Sequence, residues 1–357
     1  MRNGARSPPS CRIFDGKRLA MRTEICITID TEFSIAGAFT DPTRFAPVGE
    51  RLVECDIDGR EHGLGFLLEV FERYGIAATF FVEALNTCYF GDATMAGIAQ
   101  RIVAAGHDAQ LHLHPCWLAF RDPAWRDRVA VALSPPSDSC AGRALGEIEG
   151  IIAEGIEIFQ RWGLPRPIAL RTGGLIVDRT VYRGMARQGL RIGSNLGLAI
   201  SCPSDAGLQF AGGRHWIEGV LELPVLTYRQ PTFGVGARQR NLTITASSAR
   251  EVRSLLWQAH DAGISPIVVL THPFEFIKHQ GSAYERLRPD RVNQERLIEL
   301  CRFINENEDC FSTARFSDGM DRWLTAGESA DPEFAVSAGA TAIRMAENYL
   351  NTKLWRY

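Results

Sequence analysis

Two histidines two residues apart, His112 and His114, close the run QLHLHP at 110–115. Alternate residues of an extended strand share a face, so both imidazoles can aim at one ion. An acidic pair with the same spacing, Asp30 and Glu32, closes ITIDTE at 27–32. Two imidazoles and a carboxylate are a three-ligand set for a divalent cation that leaves one coordination place open. Arg171 in ALRTGG (169–174), and His272 with Glu275 in VVLTHPFEF (268–276), are polar groups ending two further strands. Each cluster also has an ordinary reading. An HxH at a strand end can be hydrogen-bonded polar residues, Asp30 and Glu32 can be loop solvation or caps, Arg171 a surface ion pair, and His272 a structural histidine. Four polar clusters ending four separate strands favour a site. His62, His107, His215, His260 and His279 are read as structural.

The elements that must position these groups follow from periodicity. ICITID (25–30), IAATFFVE (76–83), HDAQLHLH (107–114), PIALRTGG (167–174), LRIGSNL (190–196), LELPVLTY (221–228) and PIVVLTH (266–272) read as strands, with a short FSTARF (311–316) after them. Between them lie helical runs, the first with Leu64, Leu67, Leu68 and Phe71 on one face and a stop at Gly75. Others span 94–106, 145–163, 178–189, 247–262 and 291–306. About seven strands alternating with helices predict an α/β fold with a parallel sheet, and so many βα units favour a closed barrel. Chemistry then collects at the C-terminal ends of the strands. Residues 115–140 form an excursion too long for an ordinary connection, and 197–245 read as largely irregular. The expected organisation is a flexible tail over 1–20, one barrel domain over 21–325 and a C-terminal helical appendage over 326–357.

With 45% hydrophobic and 23% charged residues and a net charge of −3, the 357-residue chain is of ordinary globular composition. Well-mixed charge offers no basic stripe, so neither nucleic acid nor an anionic membrane is an expected partner. Nine cysteines without a CxxC pair fit reduced thiols, and the N-terminus lacks an apolar signal core; a cytoplasmic location is the expectation.

Several of these stretches resemble the polysaccharide deacetylase family, also known as the NodB homology group or carbohydrate esterase family 4. TIDTE (28–32) stands where the family has TFDD, AATFFV (77–82) is close to its next strand, and GHD (106–108) precedes its histidine motif. LRTGG (170–174) and LTH (270–272) match its arginine and last-strand motifs. The resemblance covers roughly residues 24–325 and identifies a divergent member. It implies a deformed (β/α)7 barrel, with a long N-terminal loop bordering the mouth here, and a divalent metal, commonly zinc. His112 takes the place of the first metal histidine. The second falls at Cys116, for which His114 is the substitute; the metal aspartate falls at Thr31, for which Glu32 is the substitute. Asp30 is then the catalytic base, although its role and that of Glu32 can be reversed or shared. Arg171 holds Asp30, and His272 protonates the leaving group. Glu275 and Glu222 are the candidates for the residue that orients His272. Trp117, Phe274 and Glu275 are expected to bind substrate, with Phe120, Trp125 and Phe276 as further aromatic candidates; the alternative is that the aromatics pack the excursion. The implied activity is hydrolysis of a C–N bond, foremost deacetylation of an N-acetylated sugar or polysaccharide. Two alternatives are a cyclic amide or ureide as substrate, and a carbohydrate-binding protein without catalysis.

Overall fold

In the computed structural model, residues 22–232, 236–281 and 283–353 are described, so the tail expected over 1–20 lies outside the described residues. Thr23–Thr31 (β1) is buried from Ile25 to Thr31, both faces included, as an interior strand of a parallel sheet must be. The other strands of this sheet are Ala78–Glu83 (β2), Asp108–Leu113 (β3), Ala169–Thr172 (β4), Ile192–Gly193 (β5), His215–Ile217 (β6), Val220–Glu222 (β7), Ile267–Thr271 (β8) and Phe311–Thr313 (β9). Seven of them run parallel in the order β8-β1-β2-β3-β4-β5-β7, with β6 antiparallel on β7 and β9 parallel on β1.

The sheet curls until its two ends meet. Pro224 has no N–H to donate, and the ladder of β7 stops just before it. Beyond it the seam with β8 is reduced to single bridges, Val225 to Val268 and Thr243 to Leu270. The strand expected over 221–228 is therefore two: β7, and a separate segment Thr227–Pro231 paired with Ala237–Asn241. The strand expected over 190–196 shrinks to β5.

Helices Leu64–Tyr74 (α1), Ala93–Ala104 (α2), Leu145–Arg161 (α3), Arg179–Arg187 (α4), Ala249–Ala262 (α5) and Arg291–Glu306 (α6) alternate with the strands, followed by Phe316–Ala326 (α7) and Ala338–Lys353 (α8). Gly75 closes α1 in the left-handed conformation (φ 63°), as the sequence predicts. The C-terminal appendage is tied to the barrel: Arg344 of α8 pairs with Glu251 of α5 at 3.0 Å, both side chains buried. Register levels the rim. Ile29 lies beside Thr271, Thr31 beside Val82, Glu83 beside His112, and His112 beside Arg171. Side chains at positions 30, 112, 171 and 272 consequently emerge at the same end of the sheet.

Candidate metal centre

His112 lies in the buried part of β3, and His114, one residue past its end at Leu113, continues in extended conformation (φ −116°, ψ 95°), so the two rings share one face. Glu32 lies one residue past β1. Its Oε2 is 3.1 Å from His112 Nε2 and 2.7 Å from His114 Nε2, and the two nitrogens are 3.2 Å apart. The proton positions follow from the outer side of each ring. His112 Nδ1 lies 2.9 Å from the carbonyl oxygen of Arg171, which can only accept, so Nδ1 carries the proton. His114 Nδ1 donates in the same way to Asp138 Oδ2 at 2.6 Å. Both Nε2 atoms are thereby turned inward, in the arrangement that metal-binding histidines share. Tetrahedral ligation at about 2.0–2.1 Å places donor atoms roughly 3.3 Å apart, so this donor set fits a divalent cation with little adjustment.

Electrostatics agree. Burial pushes the Glu32 carboxyl up, but His114 and the hydrogen bonds from both rings hold it well below the usual carboxylate range. Burial opposes charge on His114, yet Glu32 and Asp138 carry it well above the usual imidazole value. The ion-free centre is thus a carboxylate–imidazolium pair, and a cation entering it displaces the Nε2 proton of His114. Asp30 is not part of this trio; Glu32 is the carboxylate that lies within reach of both rings.

Asp30 belongs to a buried ion pair. Arg171, with a fully buried side chain, reaches Asp30 Oδ1 at 2.7 Å and Thr28 Oγ1 at 2.9 Å through Nη1. It also donates to Ser194, to the carbonyl oxygen at 3.0 Å and to Oγ at 2.7 Å, while its guanidinium lies 4.2 Å over the Phe81 ring. A desolvated cation needs that many partners. The network leaves Asp30 Oδ2 facing His272 Nε2 at 3.9 Å. On the far side of the imidazole, Nδ1 donates to Glu275 Oε1 at 3.1 Å, and Thr271 Oγ1 donates to Glu275 Oε2 at 2.7 Å. Burial works against a charged His272, but the Glu275 hydrogen bond, with the charges of Glu275, Glu32 and Asp30, lifts it to about 9.

Comparisons with known proteins find distant structural similarity alone. No protein-family model matches the chain, and no curated protein matches it. A candidate polysaccharide deacetylase from Mycobacterium smegmatis is similar at 16% identity over 92% of this chain and 99% of its own, with a TM-score of 0.49. A family 4 carbohydrate esterase from Streptomyces lividans, solved with acetate, is 10% identical over 87% of this chain and 98% of its own, at TM-score 0.41. A family 4 acetyl xylan esterase from Clostridium thermocellum, solved with cobalt, is 13% identical over 87% and 97%, at TM-score 0.40.

Two expectations need correction. Trp117 offers no face to a sugar: its indole is 1% exposed and packs against Phe90 and Phe120. Phe120, Trp125 and Phe276 are buried as well, so the aromatics of the excursion are core. Phe274 remains half-exposed, stacked on His272 at 4.8 Å. Glu275 spends both carboxylate oxygens on His272 and Thr271, which makes it the residue that orients His272. Glu222 instead accepts the backbone N–H groups of Asn195 and Leu196, and does not serve His272.

Three contributors escaped the sequence reading. Asp138 comes from the excursion, 24 residues beyond His114. Gly173 seats the His114 ring: a Cβ there would fall 2.4 Å from it, so LRTGG needs glycine at this position for close approach. Glu83, which burial lifts to about 8, accepts the backbone N–H of His114 at 3.2 Å and fixes that stretch of chain. Of the three, only the glycine had a signal, as the turn residue of a strand-end motif. Cys116 lies beside His114 and Asp138, and burial raises its thiol well above the usual range, so it is held as a thiol and not as a thiolate ligand. Among the described residues no helix is long and apolar enough to cross a membrane.

Proposed function

We propose that the chain is a metal-dependent hydrolase of a C–N amide bond that deacetylates an N-acetylated sugar or polysaccharide. The observation that carries this reading is the convergence of Glu32 Oε2, His112 Nε2 and His114 Nε2, each pair within 3.2 Å, with the outer nitrogen of each ring already donating elsewhere. A nitrogen-rich set with an open place suits zinc, which, when bound, lowers the pKa of a water to about 7 and polarises a carbonyl.

The residues around it divide the proton work. Asp30, held through Oδ1 by Arg171, keeps Oδ2 free to take the proton of the attacking water. As the O–C bond forms and the C–N bond breaks, His272 Nε2 donates its proton to the departing nitrogen. Glu275 keeps that proton in place at neutral pH, since His272 is lifted to about 9. General acid–base assistance of this kind is worth roughly 10²–10⁴-fold. Phe274 supplies a half-exposed aromatic face next to the acid, where a sugar ring can rest.

The test pairs metal analysis with acetyl release from N-acetylated glucosamine oligosaccharides. His112→Ala and His114→Ala are expected to lose both bound zinc and activity. His272→Ala is expected to keep its zinc while acetyl release drops by roughly 10²-fold or more. Loss of zinc in His272→Ala would make that histidine a ligand and overturn the assignment. Full zinc occupancy in the wild type with no acetyl release would overturn the reaction.

A further inference from the structure

The strand Ala237–Asn241, antiparallel partner of Thr227–Pro231, helps to wall a cavity of about 300 Å³ that opens onto His272 and Glu275. Two guanidiniums, those of Arg238 and Arg240, line it. Neither has a carboxylate oxygen within 4.0 Å among the described residues. Arg240 is the telling one. It is half-buried, its Nε is used on the Ala246 carbonyl at 3.2 Å, and a second cation, Arg344, lies near enough to act on it. Burial, and Arg344 after it, push its pKa down, against smaller opposing effects of Tyr228 and Glu251. Arg344, by contrast, is paired with Glu251 at 3.0 Å. The acid in the cavity wall, Glu275, does not answer the arginines, because His272 and Thr271 take its two oxygens.

A half-buried cation without an anion costs free energy that a ligand can recover. Guanidinium groups match carboxylate and phosphate oxygens through paired N–H donors, and a neutral N-acetylhexosamine would leave both unmatched. We propose that this cavity receives an anionic group of the substrate, a carboxylate or a phosphate, bound by Arg238 and Arg240 while the amide is presented to His272. The position of the amide rests on the hydrolase reading above; the anion site itself does not.

Isothermal titration with N-acetylglucosamine, N-acetylglucosamine 6-phosphate and N-acetylglucosaminuronic acid tests the proposal on the full chain, zinc-loaded and zinc-free. One anionic probe is expected to bind about tenfold tighter than the neutral sugar, the winner telling phosphate from carboxylate. The advantage should persist without zinc, shrink with added salt and disappear in Arg238→Gln/Arg240→Gln. If the double variant misfolds by thermal melting, Arg238→Gln alone, at an exposed position, should still reduce it. Equal affinity for all three probes, an advantage that vanishes on zinc removal, or one that survives loss of the arginines would overturn the proposal. Acetyl release is scored separately. Its absence beside an arginine-dependent anion preference sinks only the hydrolase reading, and its presence without that preference sinks only the anion site.

Discussion

Replacing Asp138 by asparagine removes one negative charge from the outer side of His114 and leaves an oxygen that can still accept the Nδ1 proton. The contact is short, 2.6 Å, and the ring is only 17% exposed, but Asp138 itself is 44% exposed, so solvent screens much of its charge. Removing such an outer partner costs 10–100-fold in metal affinity. Screening puts Asp138→Asn near the lower bound, about tenfold, or about 1.4 kcal/mol. A second effect opposes the first. Asp138 also helps to lift His114 above its usual pKa, so in the wild type zinc must expel a firmly held proton. Asparagine eases that competition, and the deficit should therefore be smallest near neutral pH and grow as pH rises. Asp138→Ala, which loses the hydrogen bond too, should lie further down, towards about 100-fold. Competition against a chromophoric chelator at several pH values measures all three proteins, with His114→Ala as the non-binding control. Wild-type affinity in both Asp138 variants would refute the claim that this carboxylate fixes the ligand nitrogen; a deficit that shrinks with rising pH would refute the proton competition.

Trp117→Ala should destabilise the protein by about 3–5 kcal/mol in urea unfolding, since it removes a buried aromatic; a loss below about 1 kcal/mol would point to an exposed platform after all. Gly173→Ala should lower zinc content while leaving secondary structure intact by circular dichroism, because a methyl group falls on the His114 ring; unchanged zinc would show that the ring can move aside. In Glu275→Gln the alkaline limb of the activity profile should move to lower pH, since the largest support for the His272 proton is gone. The same shift has a stability sign. The folded value of about 9 lies above the unfolded value of about 6.5, so charged His272 stabilises the fold fully below pH 6.5 and ceases to as pH rises through about 9. The stability gap between wild type and Glu275→Gln should accordingly narrow over that window, and a gap independent of pH would separate Glu275 from the imidazole.

What could be read from the chain beforehand is what a two-residue period controls. Asp30 with Glu32, and His112 with His114, share a face because they sit on extended chain, and both pairs meet at the rim because parallel register levels the strand ends. What could not be read depends on long connections. Asp138 reaches His114 only after the excursion folds back, and Trp117 disappears into a core that Tyr89, Phe90, Phe120 and Trp125 complete. Pro224, by contrast, was legible as a strand breaker, yet the apolar run around it outweighed the missing N–H in the reading of 221–228.

Two of the departures from the motifs that the sequence resembles, at positions 31 and 116, follow from local backbone geometry. In this chain Thr31 faces away from Asp30, buried, with its hydroxyl turned to the carbonyl oxygen of Ile29. A carboxylate that is to share the side of Asp30 must come two residues after it, at Glu32. The histidine is displaced the other way but for a like reason: His114 stands two residues after His112 on continuing extended chain, while position 116 has already entered the 3₁₀ turn Pro115–Arg121 and is buried. Once His114 takes the ligand place, its ring needs room and a partner, and Gly173 and Asp138 provide them. Glu32, His114, Gly173 and Asp138 thus depend on one another as parts of a single arrangement. Restoring the family residue at position 31 or at position 116 alone cannot rebuild the other arrangement, because strand period at one place and the 3₁₀ turn at the other direct those side chains elsewhere.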